Sequence, residues 1–249
     1  MTTCERCGGD GVLADRSNPD FVRVVPCSCA IDRRVAQLRA DLGETYATCH
    51  FATFEVDRVY QKPVTWGGFT VDPDRQRLIA RHALAAAQAY AERPDGHWLY
   101  LCGPNGSGKT HLAAAIAYRL VEQLYSIRWE TAPDLLDELR AGYDVRNVDD
   151  AMIARLDRLR SVDVLVLDEL GAERATEWAD EKLYQILNYR AVHALPTVIT
   201  SNLRREDHPP RIASRIAGMA EEVVLITCDQ RRMSRRGAYD HHHQTAPTS

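Results

Sequence analysis

The stretch "LYLCGPNGSGKTHLAAAI", Leu99 to Ile116, decides the architecture. A short apolar run enters a glycine-rich loop and leaves as an alanine-rich helix. Within it "GPNGSGKT", Gly103 to Thr110, satisfies G-x-x-x-x-G-K-[ST] in full. Gly103, Gly106 and Gly108 let successive backbone N–H groups turn inward around a phosphate. Lys109 can reach β- and γ-oxygens, Thr110 offers its hydroxyl to Mg²⁺, and the following helix presents its N-terminus to the anion. Pro104, Asn105 and Ser107 complete the loop and His111 follows it, so 103–111 is a candidate nucleotide-binding segment. The competing reading, a chance glycine turn, is disfavoured by the strand before the loop and the helix after it.

Outward from the loop, helical and extended patterns alternate. "PDRQRLIARHALAAAQAYAER" reads as a helix with Pro73 in its first turn, "HWLYLC" as a buried strand, and 109–124 as a helix. "SIRWE" is a second strand, followed by the helix "APDLLDELR", which Thr131 can cap. A polar connector, "GYDVRNVDD", leads into the helix "AMIARLDRLR". Then come the strand "VDVLVLDE", the helix "EWADEKLYQILNYRAVH", the strand "PTVITSN", the short helix "PPRIASRIAGM" and the strand "EEVVLITC". Continuously apolar strands separated by helices predict an α/β fold: a parallel five-stranded sheet with flanking helices on both faces.

Three further features complete a hydrolytic site. "VLVLDE" ends a buried strand with Asp168, expected to hold Mg²⁺ through water, and Glu169, expected to polarise an attacking water. The plain alternative is a solvated acid pair at a strand end. Asn202 ends the next strand, where its amide could touch a γ-phosphate or the water; a turn-forming Asn is the structural alternative. "RIASRIAG" sets Arg211 and Arg215 one helical turn apart on one face. Such a cation could enter a neighbouring subunit's site. Arginine is also the local habit, since 28 of the 31 basic residues are Arg.

Cys4, Cys7, Cys27 and Cys29 crowd the first thirty residues in two pairs, "CERC" and "CSC". Four thiolates suit structural zinc, and a stretch with little apolar content needs a metal to stay folded. The second pair is C-x-C, tighter than the usual C-x-x-C. Four free cysteines in an arm are the alternative, and His50 is a weaker candidate ligand. After the cysteines, Ile31, Val35, Leu38 and Leu42 form one helical stripe ending at Gly43, and that stripe requires a partner surface. Divisions follow at 1–45 (zinc-binding module with helix), 46–72 (connector), 73–236 (ATPase domain) and 237–249 (disordered tail).

Net charge is −4, so any nucleic-acid contact must be a local patch. Candidates are Arg146, Arg155, Arg158 and Arg160, and the later cluster Arg231, Arg232, Arg235 and Arg236, although such clusters are more often a solvated or partner-pairing face than a DNA groove. No apolar run reaches the roughly 18 residues that span a bilayer, and "MTTCERCGGDG" is no signal peptide, which together predict a cytoplasmic protein without membrane contact.

Taken in order, "CGPNGSGKTHLAAAI", "VDVLVLDELG", "TVITSNL" and "RIASRI" resemble the DnaC/DnaI branch of AAA+ P-loop ATPases, the replicative helicase loaders. IstB-type transposition helpers are close relatives, and "FATFEVD" is similar to the segment that precedes this domain in the group. The resemblance covers about residues 50–230. It implies ATP and ADP as ligands, Lys109 and Thr110 in Walker A, Asp168 and Glu169 in Walker B, Asn202 as sensor 1 and Arg215 as arginine finger. A weaker match implies an arginine of "CDQRRMS" at a late sensor position, Arg232 ahead of Arg231. It further implies that 131–160 holds a helical insertion touching single-stranded DNA, that copies self-associate through their ATP sites, and that no C-terminal helical lid domain is present. The cysteine module resembles the one with which several loaders contact the hexameric replicative helicase. That favours an ATP-dependent loader acting in DNA replication over an IstB-type transposition helper. A non-catalytic nucleotide switch is a third reading, against which Glu169 argues.

Overall fold

The computed structural model describes residues 4–15, 23–57, 60, 62–141 and 150–227. Its centre is a five-stranded parallel sheet built from β5 (Trp98–Cys102), β6 (Ile127–Thr131), β7 (Val164–Leu170), β8 (Thr197–Ser201) and β9 (Ala220–Val224), in the order β6-β7-β8-β5-β9. Every neighbouring pair is parallel, with Trp98 opposite both Thr197 and Ala220, and Thr131 opposite Asp168. Parallel strands need crossovers, and the helices between them cover both faces, so β5 is buried along its whole length.

Alternation along the strands divides the core in two. Leu99, Leu101, Val164, Val166, Val198 and Val223 face α2 (Pro73–Glu92) and α3 (Lys109–Glu122). Trp98, Tyr100, Leu165, Leu167 and Ile199 face the opposite layer: α4 (Ala132–Ala141), α5 (Asp150–Ser161), α6 (Glu177–Val192) and α7 (Pro210–Met219). Thr131 Oγ1 accepts from Asp134 N at 3.2 Å, so α4 starts where a capping threonine was expected. In the second layer Arg190 is fully buried with no carboxylate in ion-pair contact among the described residues. Its guanidinium donates to the carbonyls of Leu159, Val162 and Pro196 and to Thr197 Oγ1, tying the end of α5 to the starts of β7 and β8. Burial lowers its pKa to about 10, still protonated at neutral pH.

Two antiparallel hairpins lie outside the sheet, and neither is apparent in the sequence reading. β1 (Val12–Asp15) pairs with β2 (Arg23–Pro26). β3 (Val64–Trp66) pairs with β4 (Phe69–Val71) through Gly67 and Gly68, at φ 56° and 81°. A two-residue turn with both residues at positive φ matches the twist of the strands it joins, which is why glycines stand in "KPVTWGGF". The stripe helix, α1 (Ser28–Leu42), begins three residues before Ile31 and takes in Cys29, with Cys27 as its N-cap. Its stripe finds a partner: Leu38 and Leu42 are buried, with Val35 partly buried, in the layer that contains α3. Ala47, Cys49, Phe54, Tyr60 and Val71 are also buried, so residues 46–72 contribute to the core as well as connecting.

The last strand is shorter than "EEVVLITC" suggests and ends at Val224. From there Leu225 N donates to Cys102 O at 2.7 Å and Thr227 Oγ1 to Ser107 O at 3.0 Å, so the chain closes over the glycine loop. Arg232, the cluster 231–236 and the tail 237–249 lie outside the described residues, as does Arg146. No helix among the described residues is long and apolar enough to cross a membrane.

Candidate functional site

The glycine loop follows β5 and ends at Gly108, which caps α3 at φ 103°. Gly103 adopts φ 151°, and a Cβ there would meet the Leu225 carbonyl oxygen at 2.1 Å. Only glycine fits between β5 and the segment after β9. A pocket of about 290 Å³ opens on the loop, lined on one side by Asn105, Gly106, Gly108, Lys109 and Thr110.

Lys109 is buried and folded into its own loop. Its Nζ donates to Gly103 O at 2.9 Å, Pro104 O at 2.8 Å and Asn202 Oδ1 at 2.9 Å. The structure thus places Asn202 directly against the loop lysine. Thr110 Oγ1 donates to Asp168 Oδ1 at 3.2 Å, so two oxygens suited to a hard divalent cation converge. Asp168 is 3 % exposed, and burial pushes its carboxyl up to about 6, with Glu169 beside it adding to the shift.

Glu169 adopts φ 60°, and the β7–β8 register slips between Leu167 and Leu170. Positive φ is costly for a side chain with a Cβ. Here it turns Glu169 out of the strand alternation, so that Asp168 is buried while Glu169 is exposed on the pocket wall. Thr200 holds this bulge. Its hydroxyl donates to Asp168 Oδ1 at 2.5 Å and accepts from the Glu169 backbone N–H at 3.0 Å. "TVITSN" signals Asn202 but not Thr200, because a strand threonine has no distinguishing local pattern.

The opposite wall is Thr45, Tyr46, Thr48, Cys49 and Thr53. His111 Nε2 donates to His50 O at 3.0 Å and lies 3.3 Å from Thr53 Oγ1, and Phe54 meets the His111 ring edge-on with centroids 5.3 Å apart. His111 therefore fixes the 48–54 segment to the start of α3. Neither Arg211 nor Arg215 is part of this pocket. Both sit on α7 over the ring of Tyr184, at 5.7 and 5.8 Å from its centroid. In the expected insertion, Arg155 pairs with Glu130 and Glu138, and Arg160 with Asp157. Residues 142–149 lie outside the described part.

At the N-terminal end, the sulfurs of Cys4, Cys7, Cys27 and Cys29 all lie within 4.8 Å of one another. Cys4 and Cys27 are 3.8 Å apart and Cys7 and Cys29 3.4 Å. Zn–S bonds of about 2.3 Å in a tetrahedron set sulfurs about 3.8 Å apart, so the four sulfurs are gathered close to the spacing that ion requires. Gly11 N donates to Cys7 Sγ at 3.3 Å, an outer contact of the kind that orients thiolates. Backbone N–H groups of Cys7 and Arg6 hold the Cys4 thiol down to about 6, while crowding led by Cys7 pushes Cys29 up to about 12. The tight C-x-C is accommodated because Cys27 caps α1 and Cys29 lies in its first turn. His50 stands instead against Tyr118, with ring centroids 4.8 Å apart.

Comparison with known proteins agrees with this geometry. Residues 72–210 match the family model described as IstB-like ATP binding protein. The chain is 33% identical over 153 residues to the replicative helicase loader DnaI of Bacillus subtilis, covering 61% of this chain but only 48% of that protein. It is 30% identical over 234 residues to the phage-like element PBSX protein XkdC of Bacillus subtilis, covering 90% of this chain and 81% of that protein. Among solved structures, the DnaC helicase loader superposes with a TM-score of 0.58 at 26% identity, covering 73% of this chain and 99% of that one. Its P-loop, strand order and extent of match make this chain a member of the IstB-like ATP-binding family, with named helicase loaders among its homologues.

Proposed function

We propose that this chain is an ATP-dependent loader of a replicative DNA helicase, turning over ATP at boundaries between its own copies. The observation that carries this reading is the pairing, in one chain, of a P-loop site bearing Glu169 with a separate four-cysteine cluster at the head of α1. The likeness to DnaI and DnaC supports it. The chain spans about half the length of the DnaI relative, so the loading activity is inferred for this chain and not inherited from the match.

In this reading the loop N–H groups and Lys109 bind the phosphates, with Lys109 exchanging loop carbonyls for phosphate oxygens. The wall from Thr45 to Thr53 receives the base. Thr110 and Asp168 are the residues that would hold Mg²⁺, which would supply positive charge to the triphosphate. Glu169 takes the proton of the attacking water, and Asn202 orients the γ-phosphate. Arg215, standing outside its own pocket, serves the neighbour's. A groove of about 540 Å³, lined by Asp41, Asp134, Asp137 and Glu138, leads to Asp168 and Glu169, and its negative field suits an incoming guanidinium. The cysteine cluster, with zinc bound, presents the helicase-contacting module. The 131–160 region contacts single-stranded DNA through phosphate charge, so that affinity falls steeply with salt.

The test is a pull-down and loading assay with a hexameric replicative helicase. Wild-type chain binds and loads the helicase onto single-stranded DNA, and the Lys109→Ala variant binds but does not load. A second reading, an IstB-type transposition helper, is favoured by the family match itself. Stimulation of a transposase with no affinity for any replicative helicase would replace the first reading with the second.

A further inference from the structure

Arg211 and Arg215 share one aromatic neighbour. Their guanidinium carbons lie 5.7 and 5.8 Å from the Tyr184 ring centroid, and Arg215 Nη2 donates to Tyr184 Oη at 3.4 Å. The Arg215 Nε is buried and has no hydrogen-bond partner among the described residues. Other arginines among the described residues are paired with carboxylates: Arg119 with Glu92, Arg128 with Glu130, Arg155 with Glu130 and Glu138. Among the described residues, Arg211 and Arg215 have no carboxylate partner. They are held by an uncharged ring.

An aromatic face restricts a guanidinium without cancelling its charge, whereas a carboxylate would do both. Two cations brought to one ring also repel each other, and an anion arriving between or beyond them relieves that repulsion. The arrangement keeps Arg215 oriented and charged until a phosphate from outside the chain meets it. From this geometry we infer that Tyr184 is the positioning residue for Arg215, presenting it, with Arg211 as a second cation, to the triphosphate bound by a neighbouring copy. The inference rests on the reading that Arg215 completes a neighbour's site, and it names the residue on α6 that makes that possible. Tyr184 itself touches neither nucleotide nor reacting water.

A mixing experiment separates the two claims. The acceptor is full-length Arg215→Ala chain, which retains its own Glu169. The donor is full-length Glu169→Gln chain, which binds ATP, cannot turn it over, and carries Arg215. Donor mixed with acceptor restores hydrolysis. A Glu169→Gln/Tyr184→Leu donor restores it about five- to tenfold less well, as expected when a cation–π contact is lost. A Glu169→Gln/Tyr184→Phe donor, which keeps the ring and loses only the long hydroxyl contact, restores most of it. ATP affinity of each donor, which reads that donor's own P-loop, stays equal to that of Glu169→Gln alone.

If the Leu and unmodified donors restore hydrolysis equally, the assignment of Tyr184 is overturned while the lending of Arg215 stands. If no donor restores it, that lending itself falls. A Phe donor as poor as the Leu donor would overturn the role of the ring. A Leu donor that has also lost ATP binding would make Tyr184 a general fold residue and overturn the assignment too.

Discussion

The Lys109 ammonium donates to the Asn202 side-chain oxygen at 2.9 Å, joining the glycine loop after β5 to the end of β8. Ninety-three positions separate these residues, and the parallel pairing of β5 with β8 brings them together. A buried ammonium with three acceptors is well satisfied, so Asn202 can report the lysine's departure toward a phosphate. The Asn202→Ala variant is expected to lower kcat about ten- to a hundredfold, with ATP affinity within about threefold of wild type. The Asn202→Asp variant is expected to hold Lys109 by a charge-assisted bond and weaken ATP binding about tenfold. Fluorescent-nucleotide titration beside steady-state turnover distinguishes them. Equal effects of both on affinity would remove Asn202 from its proposed sensing role.

Asp168 carries a stability cost that its proposed role explains. Its carboxyl ordinarily titrates near 3.8 and is pushed up to about 6 in the fold. An acid with a raised folded pKa costs stability when ionised, and the cost is relieved as pH falls through 6 toward 4. The shift corresponds to about 3 kcal/mol at pH 7. Asp168→Asn is therefore expected to be more stable than wild type in urea at pH 7 without nucleotide, while losing Mg²⁺-dependent hydrolysis. A less stable variant would mean that the bonds from Thr110 and Thr200 outweigh the desolvation.

His208 works in the opposite direction. It is buried beside Tyr100 and Ser201, with Nε2 2.8 Å from Tyr100 Oη and 3.2 Å from Ser201 Oγ. Burial lowers its pKa from 6.5 to about 4. Because the unfolded chain takes up this proton first, the neutral ring's stability is complete above about 6.5 and is lost as pH falls toward 4. The loss amounts to about 3 kcal/mol. Protonation of Asp168 offsets part of it, so the full slope appears in the Asp168→Asn background. Adding His208→Gln to that background is expected to flatten unfolding free energy between pH 7 and 4. An unchanged slope would show that His208 is not its source.

Metal content tests the cysteine cluster. Purified chain is expected to release one equivalent of zinc on thiol modification, and Cys27→Ser to release none. Residues 4–15 and 23–26 have little core of their own, so the variant should lose their order. ATP affinity should stay within about twofold, because α1 is anchored through Leu38 and Leu42 well away from the sulfurs. Protease digestion read against nucleotide titration checks this. Wild-type resistance of the Cys27→Ser module would rule out a folding metal.

Much of the site is legible because its chemistry is local. Gly103 to Thr110 needs glycines at fixed offsets, Asp168 and Glu169 need only the end of an apolar strand, and the cysteines need only proximity in two pairs. Thr200 escapes notice because it looks like any strand threonine until β8 is placed beside β7. His111 gains its meaning from the His50 carbonyl. The Gly67–Gly68 hairpin does not show in the sequence as two strands, since three-residue strands leave almost no periodic signal.

By itself the amino-acid order determined the alternation of strands and helices, the phosphate loop, the acid pair and the four clustered thiols, all set by backbone preference and short spacing. Folding in three dimensions alone decided the order β6-β7-β8-β5-β9, the wall that residues 45–53 build opposite the loop, and the placing of Tyr184 beneath Arg211 and Arg215. Strands that are apolar on both faces carry no mark of which neighbour they take. That choice, and every long-range contact that follows from it, comes from how the helices pack over the completed sheet.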